Sequence, residues 1–129
     1  MRTITTALIL ALVLPGTACE KSTTQAAGKK LTLTKPADQT VKRGETNEIA
    51  ISINRDGFNR PVNVRFPKLP KGVTVVETKP IAADQSRVTY TLHAAPDADL
   101  VEKYEASVSV EGPDMMSTTQ TFLISVKDK

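Results

Sequence analysis

The sequence predicts an all-β domain, two antiparallel sheets packed face to face and built from about seven strands. Three observations lead there. Apolar and polar residues alternate with period two in short runs, from Leu31 to Val126. Turn-forming pairs such as Asp56-Gly57, Lys71-Gly72 and Gly112-Pro113-Asp114 separate the runs. No segment sustains the 3.6-residue period of an amphipathic helix.

The elements follow in order. Leu31 and Leu33 alternate with threonines, and Lys35-Pro36 ends that first strand. Ile49, Ile51 and Ile53 alternate with Ala50, Ser52 and Asn54 in the second. Val62, Val64 and Phe66 mark the third, and Val73 and Val75 the fourth, behind the Pro70-Lys71-Gly72 turn. Val88, Tyr90 and Leu92 define the fifth, Ala106, Val108 and Val110 the sixth, Phe122, Ile124 and Val126 the seventh. Each strand offers one apolar face, so each sheet needs a second sheet to cover it. Residues 96–103, PDADLVEK, are expected to make one helical turn capped by Asp97.

The chain has 129 residues, room for one ordinary domain. It has no Trp, two Tyr and three Phe, so Val, Ile and Leu must build the core. A domain of about 100 residues buries roughly 60–70% of its unfolded surface and can stand without disulfides. None is available within the chain, because Cys19 is its one cysteine. The formal net charge is +3, and Lys and Arg interleave with Asp and Glu without forming a basic stripe, which argues against nucleic acid.

The N-terminal segment carries its own signal. Arg2 provides a positive start, and Ala7 to Leu14, ALILALVL, is an unbroken apolar run. With Ile4 the greasy stretch reaches roughly 11 residues, short of the about 20 a membrane-spanning helix needs, so it fits a secretory signal peptide. Pro15-Gly16 breaks the helix ahead of the small residues Thr17 and Ala18. Residues 20–30, EKSTTQAAGKK, show no apolar period and read as a flexible tether. The expected organisation is a signal peptide over 1–18, a modified N-terminus and tether over 19–30, and the sandwich over 31–129.

Two resemblances follow from these residues. Gly16-Thr17-Ala18-Cys19 resembles the lipobox of bacterial lipoproteins, with Gly16 where Leu is usual. That resemblance implies cleavage between Ala18 and Cys19, a lipid on the Cys19 sulfur, and acylation of its new amino group. With Glu20 next, it implies outer-membrane sorting, facing the periplasm or the surface. Ordinary secretory cleavage after Ala18 is the alternative. The second resemblance rests on Val41-Lys42-Arg43-Gly44-Glu45, Ile-X-Ile-X-Arg over 51–55, Phe58 with Pro61-Val62, Leu-Pro-Lys-Gly-Val over 69–73, and Ala-Ala-Pro-Asp-Ala over 94–98. Together these resemble the single immunoglobulin-like or fibronectin type III-like modules of exported bacterial proteins. In such sandwiches a tyrosine at the start of the sixth strand forms a corner by bonding upstream backbone. Tyr104, two positions before Ala106, holds that place.

Catalytic machinery is not evident. The one histidine, His93, falls on the polar side of its strand, and no serine sits in a Gly-X-Ser-X-Gly turn. No cofactor is expected. Asp97, Asp99 and Glu102 are the weak candidates for calcium, a hard cation that takes several oxygens. Phe58, Met115 and Met116 lie in expected loops; for each, folding back onto the core is the favoured reading and a partner contact, as exposed apolar loop residues make, the alternative. Thr89, Thr91, Ser107, Ser109, Thr119 and Thr121 are expected to form one hydroxyl-rich sheet surface. The function these features favour is a non-enzymatic, monomeric module, anchored to membrane lipid through Cys19, that contacts an envelope protein or acts as a spacer. A small-ligand or calcium-binding exported module is the alternative.

Overall fold

Nine strands follow one another along the chain in the computed structural model, which describes residues 20–129. The expected signal peptide over 1–18 and Cys19 lie outside the described residues. The strands are β1 (Lys21–Ala26), β2 (Lys29–Thr34), β3 (Gln39–Lys42), β4 (Thr46–Asp56), β5 (Asn63–Lys68), β6 (Val73–Val75), β7 (Arg87–Ala94), β8 (Val101–Glu111) and β9 (Ser117–Lys127). All seven predicted strands are present. Two more, β1 and β3, have too little apolar alternation to be legible.

One sheet runs β1-β2-β4-β7-β6 and the other β3-β9-β8-β5. Strands β2, β4, β7 and β6 stand in the A, B, E and D places of an immunoglobulin sandwich, and β5, β8 and β9 in the C, F and G places. The chain is therefore an immunoglobulin-like β-sandwich. After Pro36 it crosses between sheets, and β3 pairs in parallel with the C-terminal half of β9, Gln39 opposite Ile124. Pairing elsewhere is antiparallel.

Inward positions alternate along the strands, with Ser109 of β8 buried between Val108 and Val110. Ile49, Ile51 and Ile53 of β4 and Phe122, Ile124 and Val126 of β9 join one core built mainly of Val, Ile and Leu. Neither a tryptophan nor a disulfide joins the sheets among the described residues. An aromatic trio takes that place: Phe66 of β5 meets Tyr90 of β7 edge-on at 5.7 Å and Phe122 of β9 at 6.4 Å. The Tyr90 hydroxyl donates to the Lys79 carbonyl at 2.6 Å, so its polar end is satisfied.

Two sequence expectations about elements are corrected. Residues 20–30 are no tether: Lys21–Ala26 pairs in unbroken register with β2 through the Ala27-Gly28 turn, and both turn residues have positive φ. Such a turn matches the twist of a hairpin, and the ladder supplies the stability that an apolar face would otherwise provide. Nor do residues 96–103 make a helical turn. Ala98 N–H donates to Ala95 carbonyl in a tight turn, and Val101 already belongs to β8. The turn is set by Gly72, at φ +89, whose missing Cβ lets Ala98 pack against it; a Cβ there would lie 2.6 Å from the Ala98 Cα.

Candidate functional site

Three connections meet at one end of the sandwich: the β1–β2 turn, the loop after β4, and the β8–β9 hairpin. Gly57 makes their closeness possible, since a Cβ on it would stand 2.7 Å from the Gly28 carbonyl oxygen. Lys29 binds Asp114 at 2.8 Å, tying the first hairpin to the last. That hydrogen bond, the Lys29 charge and, more weakly, Arg60 hold the Asp114 carboxyl below its ordinary range.

All three predicted contact residues sit at this end, in different states. Phe58 is half-buried and folds back onto the core beside Gly112. Met116 is only 2% exposed, because its Cβ falls on the inward side as the chain re-enters β9. Met115 is 97% exposed at the hairpin tip. Asp114 and Met115 both have positive φ, at 58° and 61°, a conformation that glycine or asparagine normally supplies. The end of the sandwich thus presents one thioether, held outward by a strained turn.

Beside this tip, Arg55 organises the neighbouring loops. Its Nε donates to the Arg60 carbonyl at 2.8 Å, and Nη2 to the carbonyls of Ile81 at 3.0 Å and Ala82 at 2.8 Å. Its Nη1 binds the Gln85 carbonyl. Burial lowers the guanidinium pKa from its ordinary value, and the charge of Asp84 acts the other way. The groove beside it, ≈ 330 Å³, is lined by Arg55, Phe58, Asn59, Asp84 and Gln85. The guanidinium donors are spent on backbone carbonyls, which makes Arg55 a clamp and not an anion site. The alternation of the preceding isoleucines already places Arg55 on the inward side of β4. A cation at an inward position demands acceptors, and that was the signal available in the sequence.

The other candidates do not converge. Among the described residues no three of His, Cys, Asp or Glu come together as a metal site. Asp97 and Asp99 lie exposed in the turn, and Glu102 has moved onto β8, where Lys127 Nζ holds it at 3.1 Å. Tyr104 forms no corner: its ring lies 5.7 Å from Lys68 Nζ, and no hydroxyl bond to another described residue is present. A register break separates Val101 from Tyr104, and Lys103 between them has positive φ. His93 is half-buried on the outer face of β7. The hydroxyl residues divide between the sheets: Thr89 and Thr91 lie on β7, and the remaining four on β8 and β9. Of these, Ser109 is buried, bonded by Thr119.

The fold and this loop end define an immunoglobulin-like module. No protein-family model matches the chain, and no curated protein matches it. Solved structures do resemble it. A chimeric titin Z1Z2 functionalised with a KLER peptide from decorin has 19% identity over 88% of this chain and 100% of that one, with a TM-score of 0.41. The titin M3 domain has 12% identity over 75% and 96%, at 0.40. A complex of titin M10 with an obscurin-like 1 Ig domain has 10% identity over 84% and 98%, at 0.44. The fold assignment stands on the strand order, independently of these likenesses.

Proposed function

We propose that the chain is a non-enzymatic immunoglobulin-like module, held at a cell-envelope membrane by a lipid on Cys19, that contacts a partner protein through its Met115 end. The observation that carries the reading is the distribution of perturbed and convergent groups. Burial shifts the pKa values of Tyr90 and Arg55 and Lys29 that of Asp114, and each of the three side chains is spent on a structural bond, to Lys79, to loop carbonyls and to Lys29. Functional pKa perturbation gathers in clefts around reactive groups. Here it gathers where loops are tied down. The lipid rests on the short apolar run, the lone thiol and the lipobox resemblance. Because β1 starts at Lys21, an acylated Cys19 would hold the sandwich against the bilayer with almost no spacer. Several acyl chains on one residue supply the two signals stable anchoring requires.

Cys19→Ala is expected to move the folded protein from the membrane fraction to the soluble fraction and to abolish labelling by a radioactive fatty acid. Retention of the variant in washed membranes would overturn the anchor.

A further inference from the structure

The four sheet edges are not equally protected. Strand β6 is three residues long and β3 four. Strand β5 carries Pro67 and a register break between Arg65 and Lys68. The half of β9 not covered by β3 is capped by side chains: Lys35 Nζ binds the Thr121 carbonyl, and Asp38 accepts from Leu123 N–H at 3.2 Å. These are the devices by which natural sheets prevent edge-to-edge pairing. Strand β1 has none of them. It runs six residues in unbroken register, without proline or bulge, and its one charge is Lys21 at the start.

Which backbone groups it offers can be read from the ladder. Lys35 N–H donates to the Glu20 carbonyl at 2.7 Å, so Glu20 and Lys35 form a hydrogen-bonded pair. In an antiparallel ladder such pairs alternate with non-bonded ones. Ser22, Thr24 and Ala26 therefore bond to β2. Lys21, Thr23 and Gln25 turn their N–H and C=O groups to the open side, and no described residue covers them. Their side chains are all exposed.

We infer that β1 is a pairing edge for a second copy of this chain, the two strands antiparallel about a two-fold axis through Thr23. That register uses every outward group. Thr23 faces Thr23 of the second copy, and Lys21 faces Gln25, giving roughly six backbone hydrogen bonds at two per bonded pair. No like charges are opposed, and Thr–Thr pairs across strands are favourable. Shifting the strands by two residues leaves an outward residue of each copy unpaired. Shifting far enough to meet Lys21 with Lys21 sets two cations face to face. The self-complementarity lies in the strand itself and, unlike the sequence expectation of a monomer, makes the sheet continuous across two copies.

The test uses the full chain carrying Cys19→Ser, so its outcome is independent of the lipid. Added Thr23→Cys places two sulfurs on the axis, where bonded pairs have Cα atoms about 5.5 Å apart, within disulfide range. Mild oxidation is expected to give a covalent dimer, whereas Thr32→Cys, one strand further in, stays monomeric. Sedimentation equilibrium then reads the register. Gln25→Glu, which opposes Lys21 with a carboxylate twice per dimer, is expected to tighten association about threefold to tenfold, and Gln25→Lys to weaken it by a similar factor. Gln25 is exposed, and unchanged circular dichroism verifies that both variants fold. Equal oxidation of the Thr23 and Thr32 variants, or Gln25 changes that shift association in the same direction or not at all, would overturn the pairing.

Discussion

Arg55 shows how one side chain can hold the geometry of a whole loop end. It closes the run Ile51-X-Ile53-X-Arg55, in which each named residue points inward, so a cation arrives where isoleucines precede it. Four carbonyls from two separate loops meet it there. A lysine places one ammonium where the guanidinium places a planar fork, and it cannot reach both loops at once. Arg55→Lys is therefore expected to cost about 2 kcal/mol, given a net worth near 1 kcal/mol for each hydrogen bond lost and partial rescue by water. Chemical denaturation measures the loss. An unchanged midpoint would show that the clamp contributes nothing to stability.

Among the elements, strands whose inward residues are Val, Ile and Leu were all legible, because period two and burial are the same fact seen twice. Strand β1 was not. Lys21–Ala26 buries little apolar area, and its strand character comes from the backbone of β2 and from the turn at Ala27-Gly28. A Thr118 to Ser22 hydrogen bond at 2.7 Å adds a tie to β9 that no local pattern announces. The β8–β9 hairpin was legible as a turn at Gly112-Pro113-Asp114, but not the division of labour within its methionine pair. Strand parity buries Met116, and the left-handed turn projects Met115. Left-handed backbone costs a non-glycine residue roughly 1–2 kcal/mol, partly offset in a glycine variant by the entropy of its unfolded chain. Met115→Gly is thus expected to raise the melting temperature while weakening capture of the proposed partner. A drop in melting temperature would contradict the strain.

At the scale of the molecule, the two sheets are joined by the Phe66–Tyr90–Phe122 cluster, with Tyr90 from one sheet and both phenylalanines from the other. Burial pushes the Tyr90 hydroxyl up to about 12. A group whose folded pKa lies above its unfolded value, near 10 for tyrosine, stabilises the fold fully below the unfolded value. The contribution is lost as pH rises through the folded one. Stability is therefore expected to be insensitive to this group up to about pH 10 and to fall from there toward about 12. Tyr90→Phe, which has no proton to lose, should flatten that alkaline limb while lowering stability at neutral pH through the missing bond to Lys79. Denaturation at a series of alkaline pH values checks both, and an identical limb in the variant would remove Tyr90 as its cause.

By itself the sequence determined the all-β class, seven of the strands and their inward faces. Each of these is written in local spacing, where hydrophobic period and turn chemistry act over a few residues. Tertiary structure alone decided that the polar segment after Cys19 is a strand, that the acids of residues 97–102 stay apart, and that the hydroxyl rows lie on two sheets. It also decided that Arg55 clamps the loop end from which Met115 projects. Those outcomes depend on which strands become neighbours, and neighbours distant in sequence leave no mark in the spacing of either.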